Sequence, residues 1–534
     1  MNGRKALYQF GYRRNADQDR PSAVRHPAVV VGAGPVGLCT AIDLAQRGIP
    51  VVLLDDADRI GEGSRGICYA KRTLEILDRL GVAQTCLARG VTWKVGKVFQ
   101  RDELLYAFDL LPEDGHEMPA FINLQQYYLE HALVARAAEL PNLDLRWRNR
   151  VSALKPRNDG ATLTVETPDG AYDLDADWVV AADGARSALR TMLGLAFRGE
   201  VFEDRFLIAD VKMQGDFPPE RWFWFDPPFH DGRSALLHKQ PDDVWRIDLQ
   251  LGPDADAKAE QAPERVVPRL RQMLGHENFT LEWVSVYTFQ CRRLERFLHG
   301  RVVFAGDAAH QVSPFGARGA NSGIQDAENL AWKLALVLAG EAPERLIETY
   351  DLERSAAADD NIGHSTRATD FIAPRSAQEL RFRNAALALA RHAPFAKRMV
   401  NSGRLSMPSV YETPLSTPDR DPWAGSARLG APLPDAPMRD RAGRPVWLLD
   451  AIGGEETVLH VPDGGARPAA GRVLCVGEDL VDESGFFTQR FDARPGSTYL
   501  VRPDQHLAAR WRQAPAAAIA HASRRLRGFE GEPA

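Results

Sequence analysis

The sequence predicts an α/β protein. It combines a Rossmann-like strand–helix framework, an inserted and mainly antiparallel sheet, and a small separate α/β domain at the C-terminus. Three observations carry this. A glycine-rich turn joins an apolar strand to a helix in "PAVVVGAGPVGLCTAIDLAQRGIPVVLLDD". From about 200 to 290 the text changes to alternating or aromatic runs separated by turn residues: "RWFWFDPPF", "SALLHKQPDDVWRIDLQL" and "LEWVSVYTF". Beyond a proline-punctuated stretch, "MPSVYETPLSTPDRDPWAG", roughly the last 110 residues mix strands with a final helix.

Taken in order, residues 1–26 read as an irregular arm on the surface, without the apolar core of a secretory signal. The framework's first part is expected over 27–199. Ala28 to Val31 read as a buried strand, Pro35 to Arg47 as a helix and Val51 to Leu54 as a second strand, a βαβ unit. "YAKRTLEILDRLG" follows as a helix ended by Gly81. The sheet block spans 200–295, with Pro241, Asp242 and Asp243 as the turn between two antiparallel strands. The framework resumes over 296–405 with "RVVFAGD". A helix follows Ser322, because Ile324, Ala327, Ala331, Leu334 and Leu338 step by three and four. A linker is expected at 406–425 and the last domain at 426–534. That domain reads as strands in "PVWLLD", "RVLCVG" and "TYLVRP" and a helix from about 504 to 527.

The 534 residues allow two to four domains with large cores. A net charge of −6 gives no reason to expect nucleic acid or an anionic membrane as partner. No uninterrupted apolar stretch is long enough to span a bilayer. The five cysteines (39, 68, 86, 291 and 475) have neither metal-ligand nor CxxC spacing, so reduced thiols and a cytoplasmic location are expected, with no metal site.

Three motifs carry chemistry. In Gly32-Ala-Gly34-Pro-Val-Gly37 the first glycine permits the turn, the second lets a pyrophosphate approach the backbone, and the third lets helix and strand pack closely. Asp55, at the end of the second strand, is placed to bind a ribose hydroxyl of a dinucleotide. In "DWVVAADGARSALR" an apolar strand runs into Asp183-Gly184. In "FAGDAAHQVSPFGARGANSGIQDA" a strand ends at Gly306-Asp307, where an acid points into the crevice that binds ligands. Small residues then precede a helix N-terminus suited to an anion or a partly negative oxygen.

The order of these motifs, closing on "SPFGARGANSG", resembles the FAD-dependent aromatic hydroxylases, of the para-hydroxybenzoate hydroxylase and phenol hydroxylase type. The resemblance covers residue 27 to about 400 and leans to the 3-(3-hydroxyphenyl)propionate hydroxylase branch. "YLVRPDQHLAARW" looks like the thioredoxin-like C-terminal domain of the phenol hydroxylases, without CxxC. The resemblance implies a Rossmann-like FAD-binding fold with an inserted substrate-binding sheet domain. It implies Gly32, Gly34 and Gly37 under the FAD pyrophosphate, Asp55 on the adenosine ribose, and Arg65 and Gln126 near the cofactor. Asp183 would serve FAD and NAD(P)H, and Asp307 the ribityl and ribose hydroxyls. Pro314 would lie beside the flavin ring, with the Gly319, Ala320 and Asn321 backbone facing its N1–C2=O edge.

The activity implied is NAD(P)H-dependent hydroxylation of a phenolic ring by O2 through a flavin C4a-hydroperoxide, with a homodimer as one possible assembly. A phenolate is the better nucleophile, so the substrate hairpin is searched for a base. His238, Arg246 and Asp248 are the candidates there: His238 to take or relay the proton, Arg246 to position, Asp248 to pair with Arg246. Tyr287 is a further possible partner, and Trp222, Trp224 and Phe229 read as sheet aromatics near the pocket. Two other functions stay open: oxygenation of a larger polyketide-like or quinonoid ring, and a non-catalytic flavin-binding docking protein.

Overall fold

The computed structural model describes residues 8–61, 66–215, 217–230, 232–400 and 405–529. Its framework is an eight-stranded sheet. Along one path the order is Leu298–His299, Val302–Phe304, Gly170–Ala181, Val24–Val31, Val51–Asp55 and Leu143–Trp147. The four pairings from Val302–Phe304 to Leu143–Trp147 are parallel. Strands buried on both faces need continuous apolar runs, and Ala28 to Val31 and Val51 to Leu54 supply them. The first strand begins at Val24, four residues earlier than expected, because Val24, Arg25 and His26 continue the ladder on Gly170–Ala181. The chain before it is held down. Phe10 stacks on Trp147 at 4.6 Å, and the buried Asp17 carboxylate pairs with Arg146 at 2.7 Å and His26 at 2.8 Å.

Helix Pro35–Gln46 packs between this sheet and helix Gly319–Leu338. The latter starts three residues before Ser322 and buries nearly all of its first four turns.

The second sheet also has eight strands: His310–Gln311, Thr280–Arg293, Arg198–Lys212, Val244–Gln250, Ser234–Lys239, Arg221–Phe225, Val95–Gln100 and Glu103–Asp109. The hairpin turn falls at Pro241 to Val244, and Asp242 and Asp243 take left-handed φ of 65° and 58°. The sheet reaches outside 200–295, because Arg221–Phe225 adds Val95–Gln100 as a parallel neighbour. It is therefore antiparallel but for that pairing.

The C-terminal region holds a mixed four-stranded sheet, in the order Arg472–Cys475, Thr457–His460, Thr498–Val501 and Leu507–Trp511. The last helix is Ala516–Leu526, not 504 to 527: Leu507–Trp511 pairs with Thr498–Val501, and the helix starts only after Pro515. "PVWLLD" also splits, into strand Pro445–Trp447 and helix Leu448–Ile452. Among the described residues no helix is long and apolar enough to cross a membrane.

Candidate functional site

A cleft of about 1450 Å³ is lined by the carboxyl ends of the parallel strands on one side and by the second sheet on the other. Its first half is built from the glycine turn. Gly32 has φ 105°, and a Cβ there or at Gly37 would overlap backbone: the Ala182 carbonyl and the Gly32 carbonyl respectively. A Cβ at Gly34 would meet no protein atom within 4 Å. The first and third glycines thus serve the fold, and the second leaves room in the cleft. Gly34 is also the N-cap of helix Pro35–Gln46, with no side chain capping it, so the helix offers bare N–H groups there.

Asp55 closes its strand at the cleft wall, accepting from Ala33 N at 2.5 Å and Ala57 N at 2.9 Å. Burial raises its pKa, with these two N–H groups opposing. Gln126 accepts from Gly66 N at 3.0 Å and donates to Glu130 at 2.7 Å. Asp183 Oδ2 accepts from Leu189 N at 3.0 Å, whereas its buried Oδ1 has no partner, and burial raises its pKa. Asp307 is exposed into the cleft, on the turn after Val302–Phe304.

Pro314 lines the cleft, and Phe315 beside it packs on Phe206 at 4.8 Å and Phe289 at 5.2 Å, which ties this loop to the second sheet. Helix Gly319–Leu338 begins there with no side-chain cap. The Asn321 side chain faces the protein: it accepts from Ala70 N at 2.8 Å and Thr73 Oγ1 at 2.6 Å, and donates to Cys68 O at 2.9 Å. Only the backbone at Asn321 is therefore available to a ligand. Arg65 lies outside the described residues.

These residues fit FAD. The space over Gly34, two uncapped helix starts, the orphaned Asp183 oxygen and the exposed Asp307 suit pyrophosphate, hydroxyl-bearing chain and ring edge in turn.

The other half of the cleft is the face of the second sheet. His238 stands directly opposite Arg246, and Leu236 opposite Asp248. Arg246 Nε donates to Asp248 Oδ1 at 3.1 Å, and both line the cleft. Burial raises the Asp248 pKa, and Arg246 opposes it. His238 is 4% exposed, packs edge-on against Trp93 at 6.1 Å, and its Nδ1 has no partner. Burial first, then the Arg221 and Arg246 charges, push its pKa well below 6.5, so the imidazole is neutral. Tyr287 also lines the cleft.

Arg221 is the residue that sequence reasoning missed. It is buried in the same wall, and burial lowers its pKa. Strand parity could have found it: in Arg221–Phe225 the odd residues face one side and the two tryptophans the other. That parity corrects the aromatic reading. Trp222, Trp224 and Phe229 pack on the far face with Phe99 and Phe217, away from the cleft.

With this geometry in hand, likeness to known proteins is specific. The FAD binding domain family model matches residues 25–365. The 12-dehydrotetracycline 5-monooxygenase/anhydrotetracycline 6-monooxygenase of Streptomyces rimosus is 30% identical over 96% of this chain and all of its own. The 3-(3-hydroxy-phenyl)propionate/3-hydroxycinnamic acid hydroxylase of Mycolicibacterium smegmatis is 29% identical over 73% of this chain and 69% of its own. In fold, the crystal structure of the flavin-dependent monooxygenase PieE with FAD and substrate superimposes with a TM-score of 0.82, at 23% identity, over 95% of this chain and all of that one. A family match over most of the chain, joined to a cleft shaped for the cofactor, places this protein among the FAD-dependent aromatic monooxygenases.

Proposed function

We propose that the chain hydroxylates a phenolic ring at the expense of NAD(P)H and O2. The observation that carries this reading is His238: a buried neutral imidazole with an unpartnered Nδ1 in the wall facing the cofactor half of the cleft. A neutral imidazole nitrogen accepts the hydrogen bond of a phenol and can take its proton. The Arg221 and Arg246 guanidiniums in the same wall favour the phenolate that results. Asp248 holds Arg246 in place through its 3.1 Å bond. Proton removal matters because the phenolate carbon ortho or para to the oxygen is the electron-rich site. Bound FAD supplies the activation of O2.

On the protein's side, Pro314 and the Gly319–Asn321 backbone would flank the cofactor ring, and the uncapped helix start would favour negative charge on its edge. Arg292, in the cleft wall, and Arg190 behind it each place a guanidinium over the Phe197 ring, at 4.8 and 4.0 Å, and their hydrogen bonds go to Ala308 O, Ala185 O and Gln311. A pair of cations held by neutral acceptors suits the phosphates of a nicotinamide dinucleotide.

Cleft volume favours a second reading of the substrate. About 1450 Å³ leaves room beside a dinucleotide for more than one ring, so the phenol would belong to a fused polyketide-like skeleton. One relative that matches 96% of this chain is named for 12-dehydrotetracycline and anhydrotetracycline. The test is a panel of single-ring phenols and fused phenolic polycycles, read by NADH and NADPH consumption and by product mass. Substrate-stimulated oxidation with gain of one oxygen supports the reading. Flavin that neither nucleotide reduces, in the presence of every phenol tried, supports a docking protein instead.

A further inference from the structure

A turn of the C-terminal domain, Arg502 to His506, is buried in the FAD-binding framework. Arg502 and Asp504 are 0% exposed. Two adjacent residues of helix Glu348–Ile372 meet this region. Glu353 accepts from both Arg502 terminal amines at 2.9 Å, and its Oε2 also accepts from Asn329 at 2.7 Å and Lys333 at 2.8 Å. Arg354 donates to the Tyr411 hydroxyl at 2.9 Å, and Tyr411 stacks on His506 at 4.6 Å. Glu353 therefore holds a partner from the C-terminal domain, Arg354 one from the linker segment that stacks on that domain, and both hold others from helix Gly319–Leu338. A third contact repeats the pattern: Arg72 pairs with Glu328 of that helix at 2.6 Å and donates to Asp504 O at 2.7 Å.

Arg354 reaches the cofactor end. Its guanidinium donates to Asp326 Oδ1 at 2.6 Å, and to Ser322 O and Oγ at 3.1 and 2.9 Å, in the first turn of the flavin-facing helix. The other Asp326 oxygen accepts from Gly306 N at 2.9 Å and faces His310 Nε2 at 2.7 Å. Arg354 thus holds the helix start directly and, through the Asp326 carboxylate, the turn that presents Asp307. Arg354 does not line the cleft.

We propose that the C-terminal domain is a brace for the FAD site, and that Arg354 is the positioning residue through which it acts. Buried charges hold one geometry because every alternative leaves a charge desolvated and unpaired. A loosely attached module would not place Arg502, Asp504 and the Tyr411 hydroxyl inside the framework. The brace transmits position only: removing the Tyr411 hydroxyl leaves the Arg354–Asp326 pair and the ring contact at 5.9 Å but takes away the guanidinium's hydrogen bond to that side.

The full-length protein with Tyr411→Phe, Arg354→Lys and Arg354→Met tests this. Amide hydrogen exchange over 304–325 is measured with and without FAD, together with the FAD dissociation constant and the midpoint potential of the bound flavin. Tyr411→Phe is expected to speed exchange in 304–325 before any other part of the framework. It should weaken FAD binding about three- to tenfold and shift the midpoint potential. Arg354→Met should exceed it, with Arg354→Lys between Met and wild type. If Tyr411→Phe and Arg354→Lys leave exchange, FAD affinity and potential at wild-type values, the proposal is wrong. Uniform loosening of the whole chain with an unchanged potential also overturns it, because that marks a merely structural contact. If Arg354→Met does not fold, the Tyr411→Phe result decides.

Discussion

Gly34→Ala and Gly37→Ala separate cofactor space from fold space. At Gly34 the backbone is extended (φ −75°), which alanine adopts freely, and the new methyl meets no protein atom within 4 Å. The apoprotein should therefore keep its stability to within about 1 kcal/mol, since reduced chain entropy and a poorer N-cap act in opposite directions. The methyl instead enters the space assigned to the pyrophosphate. Losing one charge-assisted backbone hydrogen bond costs about 1.5–3 kcal/mol, or about ten- to a hundredfold in FAD affinity. At Gly37 the methyl falls on the Gly32 carbonyl, so helix and strand must separate and the apoprotein itself should lose several degrees of Tm. Calorimetry of apoprotein and flavin fluorescence titration give both numbers. If Gly34→Ala lowers apo Tm as much as Gly37→Ala, or leaves FAD affinity intact, the pyrophosphate does not lie over Gly34.

Three further outcomes follow from the site. His238→Gln should lower kcat/KM for a phenolic substrate by about a hundredfold, the low end of general-base effects, while FAD content stays the same; steady-state kinetics on the holoenzyme check it. The same variant should flatten the pH dependence of stability. A histidine whose folded pKa lies below 6.5 contributes stability fully above pH 6.5, and this is lost as pH falls below it, by at most about 1.4 kcal/mol per pH unit; urea melts from pH 7 to 5 measure the slope. Arg246→Met leaves the largely buried Asp248 without its 3.1 Å partner, so it should destabilise by up to about 3–5 kcal/mol, and Arg246→Met/Asp248→Leu should recover most of that in the same melts.

The cofactor half of the cleft was legible because backbone geometry dictates residue type. A turn between strand and helix that lets two segments touch admits only glycine at 32 and 37, and the strand ends at Asp55, Asp183 and Asp307 followed from short apolar runs. The substrate wall was less legible. His238, Arg246 and Asp248 lay in one hairpin and could be grouped, but Arg221 comes from a separate strand and joins them only through sheet pairing. The tryptophans drew attention for their size, yet parity sends them to the opposite face. Asn321 shows a subtler limit: its position was readable, while its side chain's work on Ala70, Thr73 and Cys68 is long-range. The last helix was drawn too long because "LAARW" alternates weakly and declares itself a strand only beside Thr498–Val501.

Oxygen transfer itself is the most direct measurement. FAD-loaded enzyme is turned over with NADH or NADPH under ¹⁸O2, with phenolic substrates of one and of several rings, and the product is weighed by mass spectrometry. One labelled oxygen is expected on the ring, ortho or para to the phenolic carbon, in the wild type, with its near loss in His238→Gln. Nucleotide oxidation that yields only hydrogen peroxide with every substrate, or product oxygen that comes from water, would contradict it.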